Sequence, residues 1–211
     1  MSSYADSLDT RTSDSWLGSI AENPIVQTLG AMLVVSTLTW ASVLVGLSGL
    51  FILAPPLLNP PWALVTSVYA HAGPGHLLSN AIIIVLAGSF VAWSTTRLRF
   101  HLFFITTGAL AGVAEVLVGG VLGQPTAVLG ASGAAFALVG YVIAGNPASA
   151  AALARLRVPP RVLLVVVAVV AGALTIAFSA PGSALIAHLT GAILGLVAGR
   201  FQVLRVPSQR R

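Results

Sequence analysis

The chain has no cysteine and no lysine, and only 7% of its 211 residues are charged. Without cysteine, disulfides and thiolate metal sites are excluded. A soluble domain carries about 25% Asp, Glu, Lys and Arg. This chain cannot cover a water-facing surface, and its 57% hydrophobic content and mean hydropathy of +0.98 point to an integral membrane protein. The remaining charge is ten arginines against five acids. In a soluble protein such an excess would suggest nucleic acid. In a bilayer no nucleic-acid partner is expected, and the arginines report instead which loops face the cytoplasm. A secretory signal is also missing: residues 1–29 read as a polar tail with Asp6, Asp9, Asp14 and Glu22, lacking a basic start and an apolar core.

What is present is a series of six apolar runs, at 30–54, 76–93, 101–122, 132–146, 162–179 and 183–204. The first is long enough to cross a core of ~30 Å at 1.5 Å per residue. Pro55-Pro56 and Pro60-Pro61 then open an uncharged connection with Trp62 and Tyr69, suited to the membrane interface. The expected fold is all-α: a polytopic bundle of six transmembrane helices over 30–204, between the amino-terminal tail and a basic tail at 205–211. Six spans put both termini on one side. Arg11, the pair Arg97 and Arg99, the trio Arg155, Arg157 and Arg161, and then Arg200, Arg205, Arg210 and Arg211 all fall on that side. The other three connections hold no arginine, so both termini of a multi-pass cell-membrane protein are expected in the cytoplasm. Arginine-only basic usage fits a prokaryotic source.

Polar side chains kept at membrane depth are functional candidates by default. Three stretches stand out: His71-Ala-Gly-Pro-Gly-His76-Leu-Leu-Ser-Asn80, Gly130-Ala-Ser132-Gly133, and Ala187-His188-Leu-Thr-Gly191. With four histidines and four asparagines, the His-x4-His-x3-Asn spacing has a chance of about one in seven hundred. His76 and Asn80 share a helix face at i and i+4, so both can donate toward one point. His71 falls in the loop, where a structural role is expected. Gly-x-Ser-Gly is a weaker signal and occurs twice. Gly46-Leu-Ser48-Gly49, read inside span one, is taken as small residues for helix packing. Ser132 instead follows the breaker Gly123-Gln-Pro125 and begins a run of only about fifteen residues. That places it at a buried helix N-terminus, where free N–H groups favour an oxyanion. Gly191, Gly195 and Gly199 form a small-residue stripe beside His188, and Gly133, Ala137 and Gly140 form another on span four. Such stripes let two backbones approach, as a Ser132–His188 hydrogen bond requires. Phe136, i+4 from Ser132, can support the imidazole. Glu115, the one acid within the spans, is expected to be protonated or paired and to support packing.

This ordered set, with Gly140-Tyr141 after the serine motif and Gly191 and Gly195 after His188, resembles the rhomboid family of intramembrane serine proteases. The resemblance covers roughly 30–204 and agrees with six spans. It implies Ser132 as nucleophile, His188 as general base in a dyad without an acidic third member, and an oxyanion hole of His76, Asn80 and the Ser132 N–H. His71, Gly130, Gly133, Phe136, Gly191 and Gly195 would support them. It implies transmembrane protein substrates in the bilayer. The chemistry needs no cofactor, and with histidine but neither cysteine nor clustered carboxylates no metal site is expected. The departures are Phe136 where rhomboids often have tyrosine, Ala63 after Trp62 where many have arginine, and no glutamate late in span two. They touch loop anchoring and helix tethering, not the chemistry. Two other classes compete: a rhomboid-like pseudoprotease that escorts membrane clients, though such relatives usually lack the serine or histidine, and a small transporter, for which no inverted repeat is evident.

Overall fold

The computed structural model describes residues 18–124, 126–155, 159–179 and 182–206. Most of the expected amino-terminal tail, Arg11, Pro125, Arg157, Arg210 and Arg211 lie outside them. The described chain is helical: α1 Pro24–Leu44, α2 Ala63–Tyr69, α3 Pro74–Ala92, α4 Arg97–Val121, α5 Ser132–Gly145, α6 Pro147–Arg155, α7 Pro160–Phe178 and α8 Leu185–Arg200. Among the described residues the extended structure is one isolated antiparallel bridge, Leu53 to Val128. Four helices (α1, α3, α4 and α7) are long and apolar enough to cross a membrane, and α5 and α8 are shorter apolar helices.

Local chemistry explains the boundaries. Asn23 caps α1 by accepting from the Ile25 N–H at 2.8 Å, with Pro24 in the first turn. Helix α1 therefore starts six residues before the expected span and takes in part of the expected tail. It also ends at Leu44 rather than residue 54, because Gly46 adopts φ +80°, a left-handed stop. Ser48 is thus an exposed residue of the turn after α1, not a packing residue inside a span. Two further helices, α2 and α6, occupy stretches expected as connections. Thr96 caps α4 through the Arg99 N–H.

Helix α5 is the centre of the bundle, in contact with α3, α4 and α8. Buried Phe100, Phe104, Met32, Ile84 and Leu138 fill the core around it. Buried hydroxyls such as Thr28, Thr39 and Thr107 bond back to carbonyls four residues earlier, so no polar group of theirs faces lipid unpaired. The described arginines gather at one end. Arg97 lies 3.8 Å from Glu22, the Arg99 guanidinium donates to the Arg205 carbonyl at 3.3 Å, and the Val206 N–H donates to the Ser94 carbonyl. At the opposite end the Leu53–Val128 bridge ties two loops together, and the Gly130 N–H donating to the Ser67 carbonyl ties the second of them to α2.

Candidate active site

Helix α5 has fourteen residues, about 21 Å of rise against a ~30 Å core. Its first residue, Ser132, consequently lies below the loop end of the bundle. Among the described residues no side chain caps this terminus. The first N–H groups of α5, including that of Ser132, have no partner within the helix itself.

His188 reaches the same place because α8 packs against α5 with almost nothing between the backbones. A Cβ on Gly191 would collide with the Gly133 carbonyl, and one on Gly195 with the Ala137 carbonyl. Gly133 directly follows Ser132, and Gly191 lies one helical turn beyond His188. The small-residue stripes read from the sequence are therefore the α5–α8 contact itself. Phe136 stacks on the His188 ring with centroids 4.3 Å apart and planes 11° from parallel. Both rings are nearly fully buried.

A cavity of about 570 Å³ opens here, lined by His76, Asn80, Ser132, Phe136 and His188 among others. Ser132 and His188 both line it, although no hydrogen bond links them among the described residues. Such bonds are often long before substrate binds. Asn80 is buried and donates one amide proton to the His76 carbonyl at 3.1 Å, which holds its side chain beside the cavity. Gly130 has φ +132°, and a Cβ there would lie 2.8 Å from the His76 ring. A side chain at 130 would thus displace one wall of the site as well as strain the loop.

His71 lies behind the cavity rather than in it and is fully buried. Its Nε2 accepts from the Ala131 N–H at 3.4 Å, so Nδ1 carries the proton and faces the Tyr69 carbonyl at 3.0 Å and Ser36 Oγ at 3.1 Å. The Trp40 indole donates to the His71 carbonyl at 2.7 Å. One imidazole so ties α1 and the end of α2 to the residue before Ser132. Burial, reinforced by nearby His76 and opposed by the bond to Tyr69, holds its pKa down at about 4.

Two residues near the site carried no sequence motif. Ser179, just past the end of α7, places its hydroxyl 2.6 Å from His188 Nδ1. Glu115 of α4, buried, accepts from the Ala187 N–H through Oε2 at 2.8 Å. Ala187 is in the first turn of α8, so Glu115 satisfies one of its orphan donors and sits at the positive end of its dipole. The expected partner of Glu115 is therefore a backbone group of the His188 helix. Among the described residues no group of three or more His, Cys, Asp or Glu could hold a metal ion.

Residues 59–205 match the Rhomboid domain, well over half of the chain. The chain belongs to the rhomboid family, a family that includes proteases and pseudoproteases. Comparison with curated proteins gave no match. With its apolar helices, it is a membrane protein in contact with the bilayer.

Proposed function

We propose that the protein is an intramembrane serine endopeptidase that cleaves peptide bonds in or near transmembrane segments of other membrane proteins. The observation that carries this reading is the cavity lined jointly by Ser132, His188, His76 and Asn80, with the imidazole stacked on Phe136. His188 takes the Ser132 proton as Oγ attacks the scissile carbonyl carbon. The resulting oxyanion is met by the Ser132 N–H and by the His76 and Asn80 side chains. Collapse breaks the C–N bond, and the leaving amine takes the proton from His188. Water then attacks the acyl-enzyme with His188 as base, and Ser132 is restored. The chemistry draws on no cofactor.

Both termini lie in the cytoplasm in this reading, since the arginine-bearing end faces it. The site then opens toward the outer side of a prokaryotic cell membrane. Substrates are cut near that face, where Gly or Pro lets the helix unwind, next to a small residue that fits beside Gly130 and Gly133.

A serine-reactive fluorophosphonate tests the reading. Wild type should be labelled and should cleave a model transmembrane substrate. Ser132→Ala and His188→Ala should each abolish cleavage with the fold intact, because nucleophile and base act as a unit. Ser48→Ala should match wild type. A folded wild type that is neither labelled nor active would favour the client-binding pseudoprotease instead.

A further inference from the structure

We infer that Ser179 is a positioning residue for His188, occupying uncharged the place that a carboxylate takes in a Ser-His-Asp triad. This rests on the proposed protease reading for its catalytic meaning, but the contact stands by itself. The Ser179 hydroxyl lies 2.6 Å from Nδ1, and no other hydrogen-bond partner of the His188 ring is present among the described residues. An imidazole that is to accept the Ser132 proton must present a bare Nε2, so its resting proton must sit on Nδ1. A hydroxyl oxygen accepts from Nδ1–H both in neutral imidazole and in the imidazolium formed after proton transfer. In the proposed arrangement the Ser179 oxygen takes the acceptor role at Nδ1, which favours the productive tautomer over the one in which the hydroxyl would donate, and the contact fixes the ring about the axis that the Phe136 stack leaves free to turn. It is not a proton acceptor: the proton travels from Ser132 Oγ to Nε2 and on to the leaving amine, while the Nδ1 proton stays in place.

Among the described residues nothing charged competes for this function. The other titratable side chain lining the cavity is His76, and the nearby acid, Glu115, is engaged by the Ala187 N–H. Ser179 reaches its position because α7 ends at Phe178. There the backbone turns extended at φ −96° and ψ 132°, and its N–H closes the last turn on the Thr175 carbonyl. The hydroxyl is thereby freed from back-bonding to its own helix and turned to the imidazole.

The test compares wild type with Ser179→Ala and Ser179→Thr, purified in detergent with 15N-labelled histidine. Ring nitrogen shifts should show His188 as the Nδ1–H tautomer in wild type and in the Thr variant, and as a tautomer mixture in the Ala variant. With a model transmembrane substrate, kcat should fall roughly 10- to 100-fold in Ser179→Ala with KM within about twofold, a loss in the range of weakened acid–base catalysis. Ser179→Thr, which keeps the hydroxyl, should recover most of it. An unchanged tautomer in Ser179→Ala, or a kcat lost equally in Ser179→Thr, would overturn the assignment. If wild type neither cleaves nor is labelled by fluorophosphonate, the protease reading fails, and the tautomer measurement still decides the Ser179 contact.

Discussion

Two contacts border His188, and they are built in opposite ways. Helices α5 and α8 meet backbone to backbone, with glycines where any side chain would collide. Helix α7 instead lies on the outside, touching the bundle through Ala171, Val167, Val170 and Leu174 against Phe136, Ala192 and Leu196. Only 11% of its apolar window is buried inside the protein, against 50% for α4. The imidazole is held from both: Phe136 stacks on it from the clamped pair, and Ser179 bonds it from the end of the peripheral helix. The lesson is a division of labour. In the proposed reaction the clamped half sets where Ser132 and His188 stand, and the peripheral half sets how the imidazole is turned. Segments with few buried contacts open at low free-energy cost, so the second function is the easier one to interrupt.

The largest effects should arise on α3, whose His76 and Asn80 line the same cavity as Ser132 and His188 of the clamped pair. His76→Ala and Asn80→Ala should each lower kcat by about 10²–10³, the loss expected for one oxyanion donor. A variant with wild-type kcat would remove that side chain from the proposed hole. Next comes a matched pair of glycine substitutions. In Gly195→Ala the new methyl meets the Ala137 backbone, whereas at Gly172 of α7 a Cβ has nothing within 4 Å. Overpacking should cost Gly195→Ala about 1–3 kcal/mol or more, and Gly172→Ala should stay within about 0.5 kcal/mol. Equal midpoints in a denaturing-detergent titration would erase the contrast between the two halves.

A smaller effect is expected at Glu115. Glu115→Gln keeps an oxygen for the Ala187 N–H and should retain turnover within about tenfold. Glu115→Ala orphans that N–H and should lose about 1–3 kcal/mol of stability. A stable Gln variant without turnover would give Glu115 a chemical role after all. The last effect, silent at neutral pH, is a pH response. The folded protein holds His71 at about 4, against 6.5 for the unperturbed group, so the unfolded chain binds the proton first. Stability from this group is full above pH 6.5, declines as pH falls, and is lost below about pH 4. Thermal midpoints measured between pH 7 and 4 should fall more steeply for wild type than for His71→Gln. Parallel profiles would show that the histidine is not held neutral.

The order of these effects follows what could be read in advance. That Ser132, His188, His76 and Asn80 gather at one cavity was legible from the spacing of their side-chain types. The α5–α8 seam was legible because close backbones demand glycine every fourth residue. The end of α1 was misplaced because hydropathy continues through residue 54 while one backbone angle at Gly46 stops the helix. Helices α2 and α6 lie in stretches whose prolines read as breaks, although α2 begins just past Pro60-Pro61 and α6 takes Pro147 into its first turn, where proline is tolerated. The partner of Glu115 is a main-chain N–H, which has no identity in a sequence. Ser179 lies nine residues before His188 across a helix break, and nothing in that interval marks it.

The shortness of α5 has a consequence for the surrounding lipid. A protein whose lipid-facing helices were too short would force the bilayer to thin around it. Here the fourteen-residue helix is mostly buried among its neighbours, while the longer α1, α3, α4 and α7 turn leucine, valine and phenylalanine side chains outward. The membrane is therefore matched to the long helices, and the depth of Ser132 is measured from inside the bundle. Bilayer thickness and the depth of the site are thus separate variables, and a thicker membrane would strain the outer helices before it moved the serine.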